Sequence, residues 1–172
     1  MTKADIPASW WRHDLEISTD PARLDVDWVH ASLAGTYWAT NIPREIVERS
    51  IAGSLTFGIY GGARQIGFAR VVTDHATFAW IADVFVDPEY RGRGVSVWLM
   101  EVIRAHPQLQ GLRRWLLATR DAHGLYRKFG FEPLHEPERF MEITLRNPYP
   151  LSLDVAAPVG RPVASSPGED VR

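Results

Sequence analysis

The sequence predicts an α/β (α+β) fold in which a mixed sheet carries helices on both faces. Two apolar runs, 55–60 and 65–72, flank Gly61-Gly62 and predict a β-hairpin, because glycine supplies the positive φ of a tight turn. A buried strand at 77–86 then leads through a glycine-rich loop into a helix whose apolar residues recur at helical spacing. Apolar residues make up 45% of the 172, which is enough for one core.

The other elements follow from shorter patterns of the same kind. In chain order they are a strand at Leu15–Ser18, helices at 27–33 and Arg44–Ala52, the hairpin, the central strand, and strands at 114–118 and 142–145. A short amphipathic helix is predicted around Tyr126, with Thr119 or Asp121 as its N-cap. Gly130 is placed to end that helix in a left-handed conformation, and a strand resumes at Phe131.

Composition excludes several classes of function. The net charge is −2, so the chain lacks the basic excess typical of nucleic-acid-binding proteins. It contains no cysteine, which excludes disulfides and thiol nucleophiles, and its six histidines show no metal-ligand spacing. There is no apolar leader and no run of about 18 apolar residues, so we expect a soluble, cytoplasmic protein without membrane contact.

The last 26 residues differ in composition from the rest of the chain. Residues 147–172 hold five of the twelve prolines, together with Ser, Gly and Ala. Such a segment buries too little apolar surface to offset the entropy lost on ordering it. We therefore expect one domain at 1–146, followed by a disordered tail at 147–172.

The loop between the central strand and its helix has the composition of an anion site. Arg91-Gly92-Arg93-Gly94 opens the helix, so free backbone N–H groups, the positive end of the helix dipole and two cations meet there. A phosphate is the natural ligand, although the same residues also fit a tight surface turn. The motif G-x-x-x-x-G-K-[ST] and the dinucleotide motif G-x-G-x-x-G are both absent.

This loop resembles a motif of a known family. Arg91, Gly94 and Ser96 spell Arg-x-x-Gly-x-small, which is similar to the acetyl-CoA pyrophosphate loop of the GNAT acetyltransferases. The chain has Ser96 where that family usually has Gly or Ala. Serine is compatible with the motif, because backbone groups make the contacts.

A second segment, 119–131, resembles the C-terminal helix of the same family. It carries the family's Leu-Tyr pair at Leu125 and Tyr126 and a closing Gly-Phe, while Thr119 stands where Asn is usual. The resemblance covers about 16–145. It implies a mostly antiparallel sheet that is splayed at its central strand.

The resemblance also implies acetyl-CoA as co-substrate and no metal. Pantetheine would lie in the splay and bond the backbone of Phe85 and Val86. The pyrophosphate would be held by the loop and the first helical turn, namely Arg91, Gly92, Arg93, Gly94, Val95 and Ser96. Thr119, His123 and Tyr126 would line the cofactor site. Arg127 or Lys128 could also reach a phosphate, although surface cations are usually only solvated.

The resemblance implies Tyr126 as the donor of a proton to the CoA thiolate. A phenol with an ordinary pKa of about 10 is protonated at neutral pH, although spacing alone would favour a core tyrosine. The general base is open. Asp83 is the carboxylate inside the central strand, and it is either functional or half of a satisfied ion pair. His75, in the preceding turn, is the other candidate.

Tyr37, Trp38 and Trp80, together with Asp83, form the candidate acceptor surface. Aromatic side chains around a carboxylate suit a cationic amine with an apolar body. We therefore predict an N-acetyltransferase, an acyltransferase that moves acetyl directly from acetyl-CoA to a primary amine of a small molecule. The alternatives are a protein or peptide amine as acceptor, and a module that binds acyl-CoA without turnover. We expect a monomer or a homodimer.

Overall fold

The computed structural model describes residues 7–145 and 148–149, which form a six-stranded sheet with four α-helices. The strands are β1 (Ser9–Arg12), β2 (Leu15–Ser18), β3 (Leu55–Gly61), β4 (Arg64–Thr73), β5 (Phe78–Val86) and β6 (Arg114–Leu116). The helices are α1 (Val26–Ala34), α2 (Arg44–Ala52), α3 (Val95–Ala105) and α4 (His123–Arg127). The strands lie across the sheet in chain order, from β1 to β6.

The sheet is antiparallel from β1 to β5, and β6 then pairs parallel to β5. The β5–β6 ladder is short, running from the pair Phe78↔Arg114 to the pair Trp80↔Leu116. β5 continues to Val86, and beyond Trp80 its edge on that side has no strand partner among the described residues. The sheet is therefore mostly antiparallel and splayed at its central strand, as predicted.

Two hydrophobic clusters place helices on both faces of the sheet. Successive side chains of a strand point to opposite faces, and Phe68 and Ala69 of β4 accordingly enter different clusters. Phe68 is clustered with Val29 of α1, on the face that α1 and α2 cover. Ala69 belongs to the larger cluster, which includes Leu99 of α3 and Tyr126 of α4. The predicted α/β class with helices on both faces is confirmed.

Some predicted boundaries were wrong at the two edges of the sheet. β1 precedes the strand predicted to be first, and it joins β2 through a tight turn in which His13 has φ +55°. At the other edge, β6 ends at Leu116 instead of residue 118, because the sheet splays there. Helix α4 is also shorter than its apolar spacing suggested.

The strands predicted at Phe131 and at 142–145 are absent, and that prediction was wrong. Pro133 and Pro137 lack the N–H groups that a strand beside β6 would need. The chain instead makes a one-turn 3₁₀ helix at Pro137–Arg139 and continues without pairing. The tail predicted at 147–172 lies, apart from 148–149, outside the described residues.

Candidate active site

The N-terminus of α3 has the geometry expected of a phosphate-binding loop. Gly94 is the N-cap residue, with φ +78° and ψ 6°, a left-handed conformation that favours glycine. Gly92 has φ +75°. An ideal Cβ at either glycine would meet no atom within 4 Å, so the backbone here borders open space. The first N–H groups of α3 have no partner within the helix and are available to an anion.

The two arginines of the loop are held differently. Arg91 Nε donates to the carbonyl of Val86 at 3.0 Å, and its guanidinium lies 5.5 Å from the ring centre of Phe85. The guanidinium of Arg93 lies 5.2 Å from the ring centre of Tyr90, and this side chain is exposed. Arg91 is therefore tied to the end of β5, and Arg93 is the more available cation.

A β-bulge lies where β5 loses its second neighbour. Between the pairs Phe68↔Phe85 and Arg70↔Ala82, one residue of β4 faces two residues of β5, Asp83 and Val84. Asp83 has φ +52°, a left-handed conformation that Asp tolerates better than most residues. The bulge aims the Asp83 side chain at the splay.

Asp83 is half of an ion pair, one of the two roles that the sequence left open. Arg70 Nε donates to Asp83 Oδ2 at 2.5 Å, and Trp38 Nε1 donates to Asp83 Oδ1 at 3.3 Å. The Asp83 side chain is 11% exposed and that of Arg70 is 20% exposed. The carboxylate therefore links β4, β5 and the loop between α1 and α2.

That α1–α2 loop reaches across the splay to the segment before α4. The rings of Tyr37 and Trp38 meet edge to face at 4.9 Å, and both side chains are nearly half exposed. The backbone N–H of Arg120 donates to the Tyr37 hydroxyl at 3.1 Å, and the Arg120 guanidinium lies 3.7 Å from the Tyr37 ring centre. The aromatic pair thus covers the opening between β5 and α4.

Tyr126 lies inside this opening, on α4. Its side chain is buried, and burial raises the pKa of Tyr126 to about 12, with a smaller contribution from the nearby Tyr37 and Asp121. The phenol is therefore protonated at neutral pH. Its ring meets Phe131 edge to face at 6.0 Å. The N-cap residue of this helix is Ala122, so the prediction of Thr119 or Asp121 was wrong; Thr119 Oγ1 instead accepts the N–H of Ala122 at 3.0 Å, just before the helix begins.

Most of the predicted catalytic and acceptor-binding residues line one cavity of about 260 Å³. The residues predicted from the sequence that line it are Tyr37, Trp38, Trp80, Asp83, Thr119 and Tyr126. Arg70 and Asp121 also line it, and neither was predicted from the sequence as a site residue. Arg70 could have been noticed, since it is a cation in the strand that pairs with the strand of Asp83.

The remaining candidates lie elsewhere. His123 and Arg127 line a neighbouring cavity of about 230 Å³, which Tyr126 also lines. Lys128 is exposed. His75 lies in the β4–β5 turn, exposed and with φ +57°, and does not line the cavity of Asp83 and Tyr126.

The part of the chain that the structure describes contains neither a metal-type cluster nor a membrane-spanning helix. Within residues 7–145 and 148–149, no three His, Asp or Glu side chains come together as a metal site would require. None of the helices described has the length and apolar character needed to cross a bilayer.

Comparison with known proteins gives the family. A sequence profile of the acetyltransferase (GNAT) domain matches residues 52–133. A crystal structure from Xanthomonas campestris pv. campestris, assigned as an acetyltransferase of the GNAT family, is 49% identical with a TM-score of 0.78. The match covers 81% of this chain and 99% of that one.

Two further relatives agree with this assignment. A Gibberella zeae protein assigned as an acetyltransferase is 32% identical, over 71% of this chain and 81% of the relative. A Clostridium acetobutylicum crystal structure with acetyl-CoA, described as a predicted acetyltransferase, is 12% identical and has a TM-score of 0.56. The match covers 76% of this chain and 94% of that chain and shows a shared fold. The chain therefore belongs to the GNAT family and is an acetyltransferase.

Proposed function

We propose that this acetyltransferase moves an acetyl group directly from acetyl-CoA to a primary amine of a small, cationic molecule. The observation that carries the proposal is the position of Tyr126. A buried, protonated phenol lines the same cavity as the unpaired edge of β5 and the aromatic loop. Donor, thioester and acceptor can meet there.

Acetyl-CoA would enter along the splay. Its pyrophosphate would sit on the free N–H groups of α3, at Gly94 to Ser96, with Arg93 as the nearest available cation. Its pantetheine arm would lie against the β5 edge at Phe85 and Val86. The Val86 carbonyl already accepts a bond from Arg91, so we expect this carbonyl to exchange partners or the arm to use its neighbours. The thioester would then reach the cavity beside Tyr126.

Acetyl transfer requires that the amine attack the thioester and that the leaving sulfur receive a proton. The amine nitrogen would attack the thioester carbonyl carbon, and a backbone N–H of the β5 edge would stabilise the charge that develops on the carbonyl oxygen. An ammonium substrate would first lose one proton to solvent. When the C–S bond breaks, the Tyr126 hydroxyl would donate its proton to the leaving sulfur, and the proton that the nitrogen sheds on becoming an amide would return through water to the Tyr126 oxygen. A thiol with an ordinary pKa of about 8.5 is a stronger acid than this phenol, so the proton transfer is uphill at equilibrium. The proposed role of Tyr126 therefore depends on its position beside the sulfur as negative charge develops there, and on the return of a proton to its oxygen.

The charges lining the cavity favour a cationic acceptor. They are the cation Arg70 and the anions Asp83 and Asp121, which leaves one negative charge in excess. Asp121 is exposed, and Asp83 is already paired with Arg70. We therefore propose the carboxylate of Asp121 and the ring of Trp38 as the first contacts of an incoming ammonium group, because the Arg120 guanidinium already lies over the Tyr37 ring.

A thiol-release assay tests this function directly. The chain has no cysteine, so a thiol reagent detects only the CoA released. Alkylamines and arylalkylamines, amino acids and lysine peptides are supplied with acetyl-CoA, and the acetylated product is identified by mass spectrometry. We expect release with small cationic amines. Turnover of peptides alone, or binding of acetyl-CoA without release for any amine, would contradict the proposal.

A further inference from the structure

A groove of about 570 Å³ lies at the beginning of β5 and β6. It is lined by Arg113, Arg114 and Arg139, and no Asp or Glu of the described residues lines it. We call it the arginine groove, and its other lining residues are Thr77, Phe78, Leu116 and Phe140. None of these residues lines the cavity of Asp83 and Tyr126, so the arginine groove is separate from the proposed acceptor site.

The apolar part of the arginine groove lies outside both hydrophobic clusters. Ala79 and Trp115 pack in the larger cluster, so their chain neighbours point to the opposite face of the sheet. Those neighbours, Phe78 and Leu116, are partly buried and join neither cluster. Phe140 adds a third apolar side chain, which is 38% exposed. Apolar surface is therefore left there for a ligand to cover.

Two of the three arginines have no carboxylate partner in the described part of the chain. Arg139 Nη1 donates to Glu136 Oε2 at 2.6 Å, so the charge of Arg139 is compensated. Arg113 and Arg114 form no ion pair with the described residues. The Arg114 guanidinium lies 5.3 Å from the Phe140 ring centre, a contact that uses none of its N–H donors. These donors are therefore available to a ligand.

Asp74, in the turn before β5, is not a partner of these arginines. Its carboxylate accepts four hydrogen bonds from residues 76–78, at 2.6–3.0 Å. These bonds engage both of its oxygens within the turn itself. The arginine groove thus presents two positive charges without an ion-pair partner, beside apolar surface that packs in neither cluster.

We propose that the arginine groove binds an organic anion, namely a carboxylate or a phosphate monoester with an apolar body. Arg113 and Arg114 would hold the anionic group, because a guanidinium can donate two parallel hydrogen bonds to either group. The apolar body would lie against Phe78, Leu116 and Phe140 and remove their exposed parts from water. This site does not depend on the proposed acetyl transfer, so its tests measure binding and not activity.

Amide NMR shifts of the full chain report binding to this groove directly. Phenyl phosphate and 3-phenylpropionate serve as the organic anions, 3-phenylpropanol as the neutral analogue, and inorganic phosphate as the anion without an apolar body. We expect shifts at residues 113–116 and 139–140, with a Kd below about 1 mM for at least one organic anion and at least about tenfold weaker binding of both controls. The organic anion that binds more tightly shows which group the arginines prefer. No binding at these residues, or equal binding of either control, would overturn the proposal.

Variants locate the anion. Arg114→Ala should weaken binding by at least about tenfold, and Arg114→Lys by less, because lysine keeps the charge and loses the paired donors. Arg113→Ala, just before the strand, gives a second variant if Arg114→Ala does not fold. Arg49→Ala on α2 removes an exposed arginine and the same charge, and it should bind like the parent. Binding that survives both groove variants and fails in Arg93→Ala would place the anion at the N-terminus of α3 and overturn the proposal.

Discussion

Replacing Gly94 by valine has two effects that can be measured separately. It strains the backbone, which lowers stability, and it should block the proposed pyrophosphate site, which lowers acetyl-CoA affinity. Gly94 has φ +78°, and a β-branched residue in that conformation costs roughly 1–2 kcal/mol. The new Cβ would meet no protein atom within 4 Å, so no clash adds to this cost in the free protein. In a chain of this size the strain should lower the Tm by about 2–8 °C.

The loss of acetyl-CoA affinity should be far larger than this strain. If the introduced valine side chain displaces the pyrophosphate from two N–H groups of α3, the loss is about 3–6 kcal/mol, from roughly 1.5–3 kcal/mol per bond to a charged group. That is a weakening of about 10²- to 10⁴-fold, measured by calorimetric titration with acetyl-CoA.

Gly111 provides the matched control. It has φ +74°, an equally open Cβ position and a place beyond the other end of α3. Gly111→Val should therefore lose similar stability and keep its affinity within about twofold. If Gly94→Val bound acetyl-CoA nearly as well as the parent, or if both variants lost affinity alike, the phosphate-loop assignment would be refuted.

Four further outcomes are expected. Arg93→Ala should weaken acetyl-CoA binding by about 1–3 kcal/mol if it bonds a phosphate, as titration calorimetry would show. Asp83→Asn weakens the ion pair with Arg70 and the hydrogen bond that holds Trp38, so it should raise the KM for the amine and leave acetyl-CoA affinity unchanged. A normal KM in steady-state assays would show that Asp83 does not position the acceptor site. Burial raises the pKa of Tyr126 to about 12, so the phenol stays protonated as pH rises from 7 to 10. A pH–rate profile should therefore show no fall in kcat over this range, in which the amine substrate loses its proton. A hydrogen bond from Arg23 holds the pKa of the buried Glu16 below its usual value, so the stabilisation from this pair is present above a pH of about 4.5 and is lost as pH falls. Glu16→Gln should therefore lower the Tm at pH 7 and reduce the fall of the Tm at acid pH.

The sequence predicted best where local patterns coincide with tertiary structure. The glycine-rich loop at 91–94 was predicted to open a helix, and Gly94 is the N-cap residue of α3, in a left-handed conformation. The hairpin around Gly61-Gly62 and the helix Arg44–Ala52 also follow from local signals. The proposed role of Tyr126 came from the family resemblance, since its spacing alone favours a core residue.

The features that sequence could not give depend on contacts between distant segments. The pairing of Asp83 with Arg70 requires the register of β4 on β5, including a bulge that no local pattern marks. Asp121 enters the cavity only because the sheet splays and α4 folds back over the opening. Residues 142–145 alternate as a strand does, but within the described part of the chain no strand of the sheet pairs with them, because alternation alone does not specify a partner.

The Tyr126→Phe variant tests the proposed mechanism most directly. The substitution keeps the ring, its burial and its contact with Phe131, and it removes the donated proton. With a small amine found in the thiol-release panel, kcat should fall by about 10²- to 10⁴-fold while the affinity for acetyl-CoA stays within about twofold. An unchanged kcat would show that water protonates the thiolate and that Tyr126 only packs against its neighbours.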